Sequence, residues 1–561
     1  MQIKKEKWLI YIGILIPIVL FFGMFFYYTV DIPINDDYSA ILDFTNKIIS
    51  TDSISDKVKI FFSQHNEHRI AYDRFWTLIS YKIHKQLNFN FLALIGNLSL
   101  IPIFYIFSQK ALKNQKQKNL IYLIPISVLV FNISFHENMT FAMATMSNFT
   151  VFVFSILSIH YLTKDTLTQK MFILSIVFLI LALLTQGGGM FVIPISIGLL
   201  VYKKEKKYLL IYIGISFLLI TLYFYGYEKP PNSPSIIETI LYFKIRALLF
   251  SFAFLGNAFN YYLIYTNDQS ESIGITTIIG VLFFMFFLYT IKSKYYKKNL
   301  FAFSIMALIV IASFATGLTR CQLGLETAGA SRYRINGVIF LLGALLWCVD
   351  NLDYKFRKTT IISLSILYLF FIGVNQYEFL SFRKKQSLLG ALHYQSGDYT
   401  KLNGFEQELY KRVLTESSKN ETYFLPSLTD LETYFPFSKR ELNKEGKIDA
   451  ENTRSSIDQI SKVDKSYLIE GWAFIEGEKT ANQIVNVGLQ NIKQSNIVFF
   501  STVQVPKYDL NPYFKKFGLQ DGGFIARIPE KYIVHGESTI IINLEVEGKT
   551  KTIITDKNII K

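Results

Sequence analysis

Cysteine is nearly absent: Cys321 and Cys348 are the only two in 561 residues. They fall at opposite ends of one apolar run, about a membrane thickness apart, so they cannot form a disulfide with each other. No disulfide framework and no cysteine-based zinc site is therefore expected. Charge is scarce as well. Only 18% of residues are charged, against 51% hydrophobic and 16% aromatic, which is too apolar for a soluble chain of this size. Short internal repeats and low-complexity tracts are also missing. The long apolar runs contain almost no ionisable groups, whereas an ion-coupled transporter keeps such groups near the membrane midplane. That absence counts against transport.

What is present is a series of apolar runs, the mark of an α-helical polytopic membrane protein. The first, Trp8 to Val30, follows Lys4, Lys5 and Lys7. It is too long for a signal-peptide core and lacks a small-residue cleavage site after it, so it reads as a retained anchor. Further spans are expected at 91–108, 119–135, 147–163, 171–185, 189–202, 208–226, 273–291, 300–317, 335–350 and 359–375, giving about eleven. Several are short and require tilt or local thinning of the bilayer. The stretch 236–266 is apolar but carries Lys244 and Arg246 and is interrupted by Gly256-Asn257. It reads as a re-entrant or surface-lying segment buried against protein.

The formal charge of +15 suggests nucleic acid at first sight, but much of the excess lies in short loops: Lys110 to Lys118, Lys203 to Lys207, Lys292 to Lys298 and Lys355 to Lys358. That is topological information with anionic membrane lipids as the partner, and no nucleic acid is implied. With the N-terminus cytoplasmic, about eleven spans place every one of these loops in the cytoplasm and the C-terminal region outside. The expected domains are a transmembrane body, 1–375, with a long first outer loop, 31–90; a helical or mixed linker, 376–465, with a helical pattern across Phe405 to Leu414; and a small all-β sandwich, 466–561. Alternating runs at Tyr467–Ile475, Ile484–Ile492, Ile497–Val505, Gly523–Ile528 and Ser538–Val546, punctuated by Gly, Asn and Asp, support the last.

The unusual polar clusters all fall on the outer side of this topology. Asn35-Asp36-Asp37-Tyr38 holds two adjacent acids, suited either to proton abstraction or metal binding, or to an Asx-type turn ending the first helix. Farther along the same loop stands Gln64-His65-Asn66-Glu67-His68-Arg69. As a helix, it would put His65, His68, Arg69 and Tyr72 on one face. It lacks the i, i+4 histidine pair of a zincin helix, so a solvated face with a local His–Glu contact is the plainer alternative to zinc. His136-Glu137-Asn138, followed by Asn148, is either structural or part of the same surface. Gln186 with Gly187, Gly188 and Gly189 reads first as a tight turn. Arg320, Arg332 and Arg334 stand on the side that topology usually leaves poor in positive charge. Bidentate phosphate binding explains them economically; contact with lipid headgroups or pairing with the loop's acids is the alternative.

Taken together, the first span followed by Asp36-Asp37-Tyr38 in a long outer loop, the many-span body, the outer arginine segment and the soluble C-terminal domain resemble bacterial membrane glycosyltransferases of the GT-C type. More narrowly, the chain is similar to a group of bacterial membrane proteins that pair such a loop with a Ser-Arg-Tyr element, here Ser331-Arg332-Tyr333, and a Gly-Trp-Ala strand, here Gly471-Trp472-Ala473. The resemblance implies a multi-pass protein of the cytoplasmic (inner) membrane. Such an enzyme takes a sugar from a polyprenyl-phosphate carrier and transfers it, with inversion, to an envelope glycan or lipid acceptor on the outer face. It implies Asp36 or Asp37 as general base, with the other orienting the acceptor or a metal. Arg320, Arg332 and Arg334 would hold the lipid phosphate near Tyr333. His65, Glu67, His68 and Arg69 would line the acceptor side or support the acids, with His136, Glu137 and Asn138 among the substrate-binding residues. Some GT-C enzymes need a divalent cation, Mg or Mn, and others do not; Asp36 and Asp37 would be its ligands. The competing expectations are a polysaccharide polymerase joining lipid-linked repeats and a non-catalytic glycolipid scaffold or transporter.

Overall fold

The computed structural model describes residues 2–113, 120–230, 235–260, 270–353 and 376–561, together with 359, 363, 365 and 368; within the last stretch 396–397, 403, 405, 428–429, 432, 435–438, 442–449, 464, 492–496, 508 and 517 are excepted. The expected span at 359–375 and the lysines at 355–358 thus lie almost wholly outside the described residues. The chain divides into two compact units. One, mostly helical, comprises Met1–Tyr262, Asp268–Ser381 and Arg412–Phe424; the other, mostly β, comprises Leu263–Asn267, Phe382–Lys411 and Leu425–Lys561.

Eight described helices are long and apolar enough to cross a membrane: Trp8–Tyr28, Phe89–Lys113, Leu120–Thr140, Ala142–Leu162, Lys206–Phe224, Ser272–Lys292, Leu300–Leu323 and Ser331–Asn351. Two shorter apolar helices, Gln169–Thr185 and Gly187–Tyr202, stand where further spans were expected. The segment read as re-entrant is a pair of helices, Ile236–Tyr242 and Lys244–Phe259, bent by 107° at their junction. Helix Ala142–Leu162 is largely buried, whereas Lys206–Phe224 exposes Leu210, Phe217 and Leu222 as a lipid-facing helix would. Close approach between spans depends on small residues. A Cβ on Gly96 would come within 2.6 Å of the Met146 backbone nitrogen, so this position can only be glycine. Hydroxyls cross-link other helices, as between Ser99 and Thr150 at 2.7 Å.

The loop between the first two spans folds into its own small structure. Asp31 Oδ1 accepts from the Phe89 N–H at 2.6 Å and so ties the two ends of the loop together. Between them follow a π-helical turn, Tyr38–Asp43, two short helices, Phe44–Ser50 and Ile54–Phe62, a hairpin, and helix Ala71–His84. The segment Arg412–Phe424 packs here too: Asn46 Nδ2 donates to Ser417 Oγ at 2.9 Å, and the Tyr423 hydroxyl donates to the Asp31 carbonyl at 2.7 Å.

Stretch Gln64–Arg69 is not the helix expected. It is a hairpin of β1 (Gln64–His65) and β2 (His68–Arg69), with Gln64 opposite Arg69 and His65 opposite His68. The two-residue turn puts Asn66 at a φ of 46°, a region asparagine tolerates better than most residues. His65, His68, Arg69 and Tyr72 therefore share no helical face.

The β unit is an antiparallel sheet of β3 (Lys439–Glu441), β4 (Thr453–Val463), β5 (Ser466–Ile475), β6 (Ile484–Asn491), β7 (Val498–Val505), β8 (Gly523–Pro529), β9 (Glu537–Val546) and β10 (Lys549–Ile560). Its path runs β10-β9-β6-β7-β8-β5-β4, with β3 added to β7. Strand β7 pairs with β6 and β3 along its first half and with β8 along its second, which turns the corner of the sheet. The end strands β10 and β4 approach each other, so the sheet curls into a barrel-like form instead of the sandwich expected. It also starts earlier than Ser466, at Lys439 and Thr453. Alternate residues Phe524, Ala526 and Ile528 of β8, and Ile540, Ile542 and Leu544 of β9, fill the core by the period-two rule.

Candidate functional site

The two neighbouring acids are separated by their surroundings. The chain reverses at Asn35, with a φ of 48°, and the Asp37 N–H donates to the Ile34 carbonyl at 3.0 Å. This turn lies beyond the end of the first helix at Tyr28 and buries Asp37 at 1% exposure. Asp37 Oδ2 accepts from the Ile34 N–H at 3.0 Å, and Oδ1 accepts from the Met143 N–H, at 2.9 Å, in the first turn of helix Ala142–Leu162. A carboxylate is at home at a helix N-terminus, where free N–H groups point outward. Burial nevertheless pushes the Asp37 carboxyl up to about 7, against the pull of those backbone donors. Asp37 is thus an anchor for the loop. Asp36 is only half-buried. Burial raises its pKa, while Arg332 and Arg320 pull it down and Glu67 pushes it up, so its carboxyl stands within electrostatic reach of all three.

Glu67, at the tip of the β1–β2 hairpin, meets Arg320: Arg320 Nη2 lies 3.2 Å from Glu67 Oε1. Burial would raise the Glu67 carboxyl, but Arg320 and His68 outweigh it and hold it below its ordinary value. Arg320 Nη1 donates to the Tyr333 hydroxyl at 2.6 Å. The guanidinium groups of Arg320 and Arg332 lie 5.9 and 5.3 Å from the centroid of the Tyr333 ring. Arg332 is fixed by Glu137, whose Oε1 accepts from Nη1 and whose Oε2 accepts from the Arg332 backbone N–H, both at 3.1 Å. Asp36, Glu67, Glu137, Arg320, Arg332 and Tyr333 therefore form one charged cluster.

Other expected site residues serve the scaffold. Arg69 donates to the backbone carbonyls of Tyr223, Phe62 and Tyr225 at 2.6, 2.5 and 2.5 Å, which uses its guanidinium on the chain itself. Arg334 is fully buried, with Nη1 donating to the Ser134 carbonyl at 3.0 Å and to Gln376 Oε1 at 3.1 Å. His136 stacks on Phe379 with ring centroids 4.8 Å apart. Burial brings the His65 imidazole down to about 4, with Arg74 adding to the shift, so it is neutral at pH 7. Asp36, Arg332 and Glu137 stand in the charged cluster but, like His65, His136 and Arg334, are not among the residues that line the cavity described next.

A cavity of about 720 Å³ opens beside the charged cluster. Glu67, His68, Arg320 and Tyr333 stand at its polar part, and Val151, Phe152, Phe191, Phe224, Ile237, Phe254 and Leu308 supply apolar walls. Carboxamides enter it as a chain. Gln186 Nε2 donates to Asn148 Oδ1, Asn148 Nδ2 donates to Asn138 Oδ1, and Asn138 Nδ2 donates to the Arg332 carbonyl, each at 3.0 Å. The glycine run is a 3₁₀ turn, Gly187–Phe191, but it is also cavity wall at Gly187 and Gly188. A Cβ on Gly187 would lie 3.0 Å from His68 Nδ1 and 3.1 Å from the Tyr223 hydroxyl. Burial, with Arg320 adding to it, brings His68 down to about 4, and its Nδ1 is buried with no hydrogen-bond partner. Tyr223, Lys229 and Asn336 line the cavity without having been singled out from the sequence. Tyr223 sits in an apolar run that gives no polar signal, and Lys229 follows only as a single cation after that run.

The acid pair does not make a cation site. Both oxygens of Asp37 are committed to backbone N–H groups, and among the described residues no group of three His, Cys, Asp or Glu side chains could hold a metal ion. The Mg or Mn ligands expected at Asp36 and Asp37 thus reduce to Asp36 alone. Comparisons of the chain with protein-family models, with curated proteins and with solved structures found no match.

Proposed function

We propose that this chain transfers a sugar from a polyprenyl-phosphate carrier to a glycan or lipid acceptor at the outer face of the cytoplasmic membrane. The observation that carries this reading is the amphiphilic cavity: Arg320 and Glu67 at its polar part, with Arg332 and Asp36 in the adjoining cluster, and many apolar side chains in its walls, in a helical unit built of membrane-length helices. That combination suits a phosphate bearing a long hydrocarbon tail. Asp36 takes the proton from the acceptor hydroxyl as the acceptor oxygen bonds to the anomeric carbon. The bond from that carbon to the phosphate oxygen breaks, and the electron pair leaves with the phosphate. Arg320 and Arg332 meet the charge that develops there. Both oxygens of Asp37 are taken by backbone N–H groups, which leaves Asp36 for this role, and its raised pKa makes it the stronger base once ionised.

The test is sugar transfer by the full chain in membranes supplied with polyprenyl-phosphate-linked sugars. Asp36→Asn is expected to slow transfer about 10²- to 10⁴-fold, the usual contribution of a general base, while leaving carrier binding intact. Transfer by Asp36→Asn at the wild-type rate removes Asp36 from the chemistry. A wild-type chain that neither binds the carrier nor transfers any sugar overturns the reading.

A further inference from the structure

The three carboxamides beside the cavity are oriented by a single atom. The Arg332 carbonyl can only accept, so Asn138 must turn Nδ2 toward it and Oδ1 away. That oxygen needs a donor from Asn148, whose own Oδ1 then needs a donor from Gln186. The chain ends at Gln186, whose Oε1 and second N–H it does not use. Gln186 and Asn148 both line the cavity, and the next residue, Gly187, is the point at which the wall meets His68. His68 is neutral at pH 7 and its Nδ1 has no partner. Glu67, the nearest carboxylate, is committed to Arg320. Gln186, Asn148 and His68 therefore offer hydrogen-bond donors and acceptors and carry no charge of their own.

A group that meets such a wall must both donate and accept. Hydroxyls do so. Lys229 is a cation of the same cavity, but Gln186, Asn148 and His68 are themselves uncharged, and a carboxylate seated against them would set an anion against Gln186 Oε1. His68 and Arg320 line the same cavity, so this wall shares it with the arginine proposed to hold the phosphate.

We propose that Gln186, Asn148 and His68 form a subsite for an uncharged, hydroxyl-rich group carried on the phosphate that Arg320 holds: a neutral sugar, not a uronic acid. This rests on the lipid-phosphate reading given above. The experiment measures binding of undecaprenyl phosphate, its glucosyl ester and its glucuronosyl ester to the full chain in lipid nanodiscs. The wild type is expected to bind the glucosyl carrier about tenfold more tightly than the bare carrier, the worth of one or two net hydrogen bonds, and the glucuronosyl carrier no better than the bare one. Gln186→Leu is expected to bring the glucosyl preference to parity while keeping affinity for the bare carrier, which also reports that the variant is folded. Should Gln186→Leu fail to bind the bare carrier, Gln186→Asn, which withdraws the carboxamide by one methylene, decides by the same ratio. Equal binding of bare and glucosyl carriers by the wild type, or a preference that survives both substitutions, overturns the subsite and leaves the lipid-phosphate reading standing. Failure of the wild type to bind any of the three overturns both.

Discussion

Asp36 and Asp37 differ because of what the chain brings to each, and the difference is measurable. Asp37→Asn keeps the shape but turns an N–H toward one of the two backbone donors, so it should lower stability by about 1–3 kcal/mol, read from thermal melts. The sign of its pH dependence follows from the raised value. The folded chain binds the Asp37 proton more tightly than the unfolded chain does, so the stability it contributes is fully present below about 3.8 and is lost as pH rises through about 7. Asp37→Asn should flatten that part of the stability profile, and a slope unchanged between wild type and variant counts against the shift. For Asp36 the expectation concerns rate. Its raised pKa should place the acid limb of kcat/KM above the ordinary carboxylate range, with activity lost as pH falls through it, and Asp36→Asn should remove that limb. The sequence displayed both acids but not their division of labour, because Asp37 is satisfied by a backbone N–H at Met143, 106 positions away. The arginines were likewise visible as a group, while only contacts with Ser134 and Gln376 reveal that Arg334 is structural.

Elements were legible where burial imposes a simple period. Five strands, from β5 to β9, follow their alternating runs almost residue for residue, since one face of each packs on the core. Strands β4 and β10 escaped notice because they end the sheet path and carry polar residues such as Ser455, Asp458, Lys551 and Asp556, which suit an exposed edge and erase the alternation. The β1–β2 hairpin is not legible in the sequence because two pairs of residues are too few to show a period. The spacing of its histidines also matches a helix. Glycines make the helix contacts testable. Gly189→Ala would drive a Cβ to 2.5 Å from the Ala182 carbonyl carbon and should destabilise the helical unit by about 1–3 kcal/mol. Gly198→Ala meets nothing within 4 Å and should be neutral or stabilising by up to about 1 kcal/mol, the helix-propensity gain. Equal melting temperatures for the two variants would contradict the packing at Gly189.

For the whole molecule, apolar length alone indicates membrane spans, while sidedness comes from the lysine-rich loops. In a Cys321→Ser, Cys348→Ser background, a cysteine at Asp52 should react with a membrane-impermeant maleimide from outside intact cells, and one at Lys294 should not. Labelling of Lys294→Cys and not Asp52→Cys would invert the topology and remove the proposed outer-face chemistry. Within the helical unit, Arg69 has a mechanical consequence. By grasping the carbonyls of Phe62, Tyr223 and Tyr225 it rivets the hairpin to the end of helix Lys206–Phe224. Phe224 is cavity wall and Glu67 is the hairpin tip, so a single side chain ties the two together. Arg69→Ala should therefore loosen the wall at Phe224 and the Glu67–Arg320 ion pair together, although Arg69 itself is not among the residues lining the cavity.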